Sequence, residues 1–269
     1  MKNGIVEAVI ASNRRIAEDV LRMELIYKDA ALAAPGQFIN IYLREKNLLL
    51  PRPISVCDAA DGALTLVYGV VGAGTRAMAD YAPGSVLRVG APCGNGFNVS
   101  DARGFGRVTL IGGGIGVPPL LMLAKALKTE TDASVRAVLG FKSETFLADE
   151  FRTCCDETLI ATEDGSEGFH GNVLELLKEE NLNPGGDYFY SCGPLMMLRA
   201  LSRFAGGQGI PLQVSLEARM GCGYGACKAC ICVVGSRQSE GLAAETATVN
   251  KRICVDGPVF FGNEVIWDV

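Results

Sequence analysis

Residues 220–232, MGCGYGACKACIC, place Cys222, Cys227, Cys230 and Cys232 within eleven positions, and Cys254 follows in ICVDGPVF. Thiols at fixed spacing restrict a fold strongly. They must converge on a metal, pair as disulfides, or be buried as small apolar groups. The run Cys222-x4-Cys227-x2-Cys230 with a distant Cys254 has the plant-type spacing for a 2Fe-2S cluster. A structural zinc site usually draws its cysteines from two separate short knuckles, and a second knuckle is missing here. Gly221, Gly223 and Gly225 allow the backbone to bring N–H groups close to the sulfurs, where they stabilise the charge added on reduction. Cys232 reads as a packing residue on a strand leaving the loop. Cys57, Cys93, Cys154 and Cys155 have no ligand spacing and read as core thiols.

The chain has 269 residues and a net charge of -5, with its basic residues scattered. That balance excludes a basic nucleic-acid groove and argues against an anionic membrane surface. The N-terminal residues lack the pattern of a secretory signal. The most apolar stretch, VTLIGGGIGVPPLLMLAKAL, is broken by Gly112, Gly113, Gly114, Gly116 and Pro118-Pro119 before it reaches the length of a bilayer span. A cytoplasmic location follows as the expectation, and in that compartment thiols stay reduced. The only histidine, His170, lies in a turn-rich stretch and reads as a surface residue, which removes a Ser-His-Asp triad and a histidine-based metal site.

The texture divides the chain into residues 1–100, 101–211 and 212–269. In the first part, Ile5–Ile10, Val20–Ile26, Gln37–Leu43, Leu64–Tyr68 and Val86–Val89 are β-branched or aromatic runs bounded by turn residues, which predicts an antiparallel barrel or sandwich. In the second, Val108–Ile111, Val135–Phe141, Thr158–Thr162 and Tyr188–Ser191 alternate with helical stretches Pro118–Lys128, Glu144–Phe151, Val173–Glu180 and Pro194–Phe204. That order predicts a parallel sheet of the nucleotide-binding kind. The third part is the cysteine-rich segment.

Two barrel elements suit a phosphate. Arg52-Pro53-Ile54-Ser55 is a proline-stiffened strand with one cation and one hydroxyl, and Gly72, Gly74 and Thr75 open a short helix. Taken alone, Arg52 reads equally as a solvated arginine. The turn G-G-G-x-G-x-x-P, with Gly113, Gly114 and Gly116, and the strand end Cys192-Gly193 suit a dinucleotide such as NAD. A tight turn without ligand and a packed thiol are the plain readings of the same residues. Glu163 and Asp164, after a sheet strand, would repel a 2′-phosphate, or else form a solvated loop.

Taken together these motifs resemble the ferredoxin–NADP reductase-like flavoproteins over essentially the whole chain. SLEARMGCGYGACKACIC and KRICVDGPVF are similar to the electron-transfer subunits of type B dihydroorotate dehydrogenase. The resemblance implies an N-terminal FAD-binding β-barrel, a central NAD-binding α/β domain and a C-terminal 2Fe-2S domain. It implies FAD on Arg52, Pro53, Ile54 and Ser55, with Val67, Tyr68 and Gly69 lining the isoalloxazine and Gly74 and Thr75 at the phosphate. It assigns Cys222, Cys227, Cys230 and Cys254 to the cluster. The superfamily often carries an aromatic ring where this chain has Ile54; the dihydroorotate subfamily lacks it too. The implied partner is an FMN-containing catalytic subunit in a heterotetramer of two plus two, with electrons passing to NAD in pyrimidine (UMP) biosynthesis. An NAD(P)H-dependent reductase subunit serving another redox partner, and a non-catalytic redox sensor, are the alternatives.

Overall fold

A computed structural model describes residues 4–235 and 248–267. The N-terminal part is a closed antiparallel barrel of β1 (Val6–Ala17), β2 (Val20–Ile26), β3 (Phe38–Tyr42), β4 (Arg52–Ala60), β5 (Ala63–Gly69) and β6 (Val86–Val89), ordered β1-β2-β5-β4-β3-β6. The alternation in VLRMELI turns Leu21, Met23 and Leu25 inward, where they meet Ile39, Ile41, Leu64 and Leu66. A two-turn helix, α1 (Ala73–Ala79), joins β5 to β6. β1 is longer than Ile5–Ile10 predicts. It continues through the polar SNRRIA to Ala17 by pairing with β2, with irregularities at Ile10/Ser12 and Arg15/Ala17. Cross-strand pairing overrides weak local β propensity there.

The second part alternates β7 (Arg107–Gly113), α2 (Pro119–Glu130), β8 (Ser134–Phe141), α3 (Ala148–Cys154), β9 (Glu157–Thr162), β10 (Phe169–His170), α4 (Val173–Glu179), β11 (Asp187–Cys192), α5 (Leu195–Gln208) and β12 (Leu212–Ser215). α4 begins with a reciprocal cap. Asn172 Oδ1 accepts from the Leu174 and Glu175 N–H groups, and Glu175 accepts from the Asn172 N–H. α3 starts later than Glu144. Glu144 instead accepts the Glu18 N–H of the β1–β2 turn at 2.7 Å, and Leu147 precedes the helix with a φ of +61°.

Three further strands follow: β13 (Ile231–Gly235), β14 (Thr248–Arg252) and β15 (Val259–Phe261). β13 and β14 form their own antiparallel pair. β15 returns to the large sheet, whose order is β10-β9-β8-β7-β11-β12-β15. Beyond the expected boundary at 211/212, β12 pairs with β11 in parallel, so the sheet runs on to Ser215 before the cysteine segment begins.

The barrel and the sheet domain share a core. Cys57 of β4 and Val67 of β5 pack in one cluster with Val117, Leu120 and Leu121 at the start of α2, all at or below 3 % exposure. Each fully buried leucine there contributes about 1.5–3 kcal/mol. The Arg22–Glu150 ion pair, 3.0 Å, and the Lys125–Asp58 pair bridge the same rim and add about 1 kcal/mol or less each. The outer wall of the Arg52–Ser55 strand is thus fixed against the helix that follows the glycine turn. Among the described residues no helix is long and apolar enough to cross a membrane.

Candidate functional site

Arg52 opens β4, and Gly74 lies in the first turn of α1. The fold brings these two sequence-distant elements into contact. A β-carbon on Gly74 would stand 1.9 Å from Arg52 Nε, so only glycine leaves room for the guanidinium. The first turn of any helix leaves backbone N–H groups without intrahelical partners, and here a cation lies beside them. A diphosphate suits that combination. Pro53, Ile54 and Ser55 are half-buried, with Ile54 leaning on the barrel core.

Two residues expected at the flavin are differently disposed. Tyr68 turns its ring into the barrel, at 2 % exposure, and its hydroxyl donates to Asn13 Oδ1 at 3.1 Å. Asn13 Nδ2 in turn holds the carbonyls of Met78 and Tyr81, so the Tyr68 hydroxyl supports the end of α1. The period-2 geometry of a strand explains this: Leu64, Leu66 and Tyr68 share the inner face, while Val67 faces out toward the sheet domain. Thr75 is also occupied. Its Oγ1 accepts from the Val71 and Gly72 N–H groups at 3.0 and 3.1 Å, which builds the turn entering α1. Only its backbone N–H is available to a phosphate.

The chain leaves β7 toward β8, β9 and β10 on one side, then returns to β11 on the other. The crevice between the ends of β7 and β11 is thus the switch point where open α/β sheets take nucleotides. Gly113, Gly114, Gly116, Cys192 and Gly193 all converge there, with Cys192 in register with Gly112. A β-carbon on Gly116 would stand 2.4 Å from both Cys192 O and Gly193 N. Cys192 itself is a packed thiol at 1 % exposure, and burial, with Glu217 nearby, pushes it far above an ordinary thiol. Glu217, just beyond β12, was not singled out by its sequence context. Its side chain is reached by solvent yet walled by protein, and the resulting loss of hydration raises its carboxyl pKa. Asp164 is engaged in its own turn, accepting the Ser166 N–H at 3.0 Å.

The thiols of the cysteine loop fall into facing pairs. Cys222 meets Cys227, and Cys230 meets Cys254. β13 and β14 bring the second pair together. Ile231 pairs with Arg252, and the Ile253 N–H donates to the Cys230 carbonyl at 2.8 Å, so the antiparallel pairing of β13 and β14 sets Cys230 beside the approach to Cys254. Residues 236–247 lie outside the described residues. Two thiolates for each of two irons is what a 2Fe-2S cluster requires, whereas zinc needs all four about one point. Among the described residues no three ligating side chains gather about a single ion position. Burial raises the Cys222 thiol, but N–H groups of Cys227 and Tyr224, with the Cys227 thiol, outweigh it and bring the pKa to about 6. Burial, then the Cys230 thiol, pushes Cys254 up to about 12. Cys232 pairs with Lys251 across β13 and β14 and is half-buried against the apolar cluster that includes Cys230 and Cys254.

Residues 217–266 match the family model described as the iron-sulfur cluster binding domain of dihydroorotate dehydrogenase B. The chain is 38 % identical over 262 residues to the dihydroorotate dehydrogenase B (NAD(+)) electron transfer subunit of Caldanaerobacter subterraneus, covering 97 % of this chain and 98 % of the relative. It is 41 % identical to the same subunit of Bacillus caldolyticus, covering 96 % of each. Among solved structures it is similar to an NADH-dependent reduced ferredoxin-NADP oxidoreductase, with a TM-score of 0.83, 32 % identity, and coverage of 98 % of this chain and 91 % of that one. The flavohem-like FAD/NAD-binding domain of a Vibrio cholerae nitric oxide dioxygenase shares the fold, at a TM-score of 0.68 and 20 % identity over 79 % of this chain and 99 % of that domain. With identities of 36 to 41 % along almost its full length, this chain belongs to the family of dihydroorotate dehydrogenase B (NAD(+)) electron transfer subunits.

Proposed function

We infer that the chain is the electron-transfer subunit of a type B dihydroorotate dehydrogenase, an oxidoreductase component that links a dihydroorotate-oxidising partner to NAD. The observation that carries this reading is the presence of Cys222, Cys227, Cys230 and Cys254 inside the segment that matches the family's iron-sulfur domain, in a chain 38 to 41 % identical to the family's subunits over almost its full length. When bound, FAD exchanges electrons singly with a 2Fe-2S cluster and in pairs, as hydride, with NAD.

The chain's own residues supply binding and orientation. Arg52 and the N–H groups of Gly74 and Thr75 would hold the FAD diphosphate. Val67, the Tyr68 and Gly69 backbone, and the Pro53–Ser55 strand would line the flavin ring, with the Ser55 hydroxyl at its edge. Gly113, Gly114, Gly116 and Gly193 would receive the nicotinamide dinucleotide at the switch point. Cys222 with Cys227, and Cys230 with Cys254, would ligate the irons. The packed core between β4 and α2 keeps the two nucleotide sites in a fixed relation and excludes water from one side of the flavin strand.

The partner would be an FMN-containing catalytic subunit, assembled two plus two in the cytoplasm. Co-purification with that subunit, followed by a dihydroorotate:NAD+ assay, tests the reading. Reconstituted complex that carried FAD and cluster yet never reduced NAD+ with dihydroorotate would overturn it. The 32 % identity to the reduced ferredoxin-NADP oxidoreductase supports a second reading, a reductase subunit serving another redox partner. Ferredoxin-dependent NAD(P)+ reduction in place of the dihydroorotate reaction would favour it.

A further inference from the structure

Asn40 stands where the barrel meets the cysteine loop. It lies in β3 opposite Pro53 of the flavin strand and is 2 % exposed. Its side-chain Nδ2 donates to the Gly223 carbonyl at 3.4 Å, a contact between residues 183 positions apart. Its Oδ1 is buried without a hydrogen-bond partner among the described residues. Gly223 is pressed onto this amide: its φ is +74°, and a β-carbon there would stand 2.2 Å from Asn40 Oδ1. Phe38, two residues away on the same face of β3, is apolar and 3 % exposed. A half-satisfied polar group in such a wall costs about 1–3 kcal/mol, and an apolar residue would be the stable choice. Residues that break a local rule in this way mark functional positions.

The carbonyl that Asn40 holds belongs to the Gly223–Tyr224 peptide. The N–H on the other side of that same planar unit, the Tyr224 N–H, points at Cys222 Sγ at 3.5 Å. The Cys227 N–H meets the same sulfur at 3.4 Å. Fixing one end of a rigid peptide fixes the other, so the Asn40 amide controls how the Tyr224 N–H addresses the ligand sulfur. Hydrogen bonds to cluster sulfurs raise the reduction potential by stabilising the more negative reduced state.

We propose that Asn40 is a positioning residue for electron transfer: from the flavin-binding barrel it orients the 223–224 peptide, and through it sets the hydrogen bonding of Cys222 and the seat of the cluster loop. This rests on the reading of Cys222 as a cluster ligand beside a flavin.

The test uses the full-length holoprotein with FAD and cluster, carrying Asn40→Asp, which keeps the shape and loses the donor, or Asn40→Leu, which is apolar and of similar size. Both are expected to retain FAD. Their cluster potential, measured by dye-mediated titration with EPR detection, should fall by about tenfold in the reduction equilibrium, about 59 mV for one electron. The g-values of the dithionite-reduced cluster should move as well. Wild-type potential and g-values in both variants would overturn the proposal, as would an Asp variant that matched wild type while Leu alone differed, since packing would then suffice. Should either protein fail to fold, Asn40→Ser, smaller than the native side chain and too short to reach the Gly223 carbonyl, carries the same comparison. Chemical titration needs neither partner nor substrate. A failed dihydroorotate assay with wild-type protein would therefore count against the pyrimidine reading alone and leave this measurement decisive.

Discussion

The guanidinium of Arg52 rests on the backbone of Gly74, with Nε 1.9 Å and Nη2 2.6 Å from where a β-carbon on that glycine would lie. Two motifs separated by a whole hairpin thus form one corner, which we propose receives the FAD diphosphate. Gly74→Ala must displace the guanidinium, and Arg52→Ala removes it. Each is expected to weaken FAD binding by about 2 kcal/mol, roughly 30-fold in Kd, the worth of a hydrogen bond to a charged group. Quenching of flavin fluorescence by reconstituted deflavo-protein measures this. Wild-type affinity in both variants would remove the diphosphate from this corner.

The thiol contacts and the cysteine spacing divide the proposed ligands Cys222, Cys227, Cys230 and Cys254 from Cys232. Cys227→Ser leaves Cys222 facing a weak ligand, so iron and the visible absorption of the cluster should be lost while flavin remains. Cys232→Ser is expected to keep both irons, because Cys232 lies outside the Cys222-x4-Cys227-x2-Cys230 spacing and sits on β13 opposite Lys251. Its thiol is raised to about 11 by burial, which suits a neutral packing group. Iron analysis of the two purified variants distinguishes these outcomes, and equal iron in both would sink the assignment.

How far the sequence alone reached depends on whether a signal was local. The cysteine spacing, the glycine turn after β7 and the inward alternation of VLRMELI are local, and each foretold the element found. Contacts made across the fold were not legible. Nothing near Asn40 announces that it touches Gly223, and nothing in LQVS shows that β12 extends the sheet instead of starting a new domain. The face of a strand was the other weak point. Tyr68 belongs to a run expected to line the flavin, but the register that buries Leu64 and Leu66 carries its ring into the barrel as well. Thr75 shows the same limit at a helix start, where its hydroxyl caps the turn. Motifs name residue types; the register and the caps decide which atoms remain free.

Buried tyrosines give the chain a defined alkaline limit. Burial raises Tyr68 and Tyr188 to about 12 each, and raises Tyr190 further. An unfolded tyrosine ionises near pH 10, so above that pH the unfolded chain releases protons that the folded chain retains. Stability is therefore constant below about pH 10 with respect to these groups and falls between about pH 10 and 12. Thermal unfolding followed across that window should show a steep decline in Tm. Tyr188→Phe should flatten part of the decline while costing about 1 kcal/mol at neutral pH, because it removes one of the three acceptors of Gln213 Nε2, the hydroxyl at 2.9 Å. An unchanged slope in that variant would show that Tyr188 titrates normally.

Gly116 sets how closely the ends of β7 and β11 approach. The atoms that an added methyl would meet, Cys192 O and Gly193 N at 2.4 Å, are backbone and cannot rotate aside. Gly116→Ala must then part the strand ends or bend the turn, at a cost of about 1–3 kcal/mol. The strain falls on the crevice proposed for the nicotinamide dinucleotide and leaves Arg52, Gly74 and the thiol pairs untouched. FAD and iron contents should stay at wild-type levels, while the KM for NADH with ferricyanide as acceptor rises on the order of tenfold or more. Steady-state kinetics on holoprotein of verified cofactor content decides it. A normal KM with lowered thermal stability would make Gly116 a packing residue and move the dinucleotide elsewhere on the sheet.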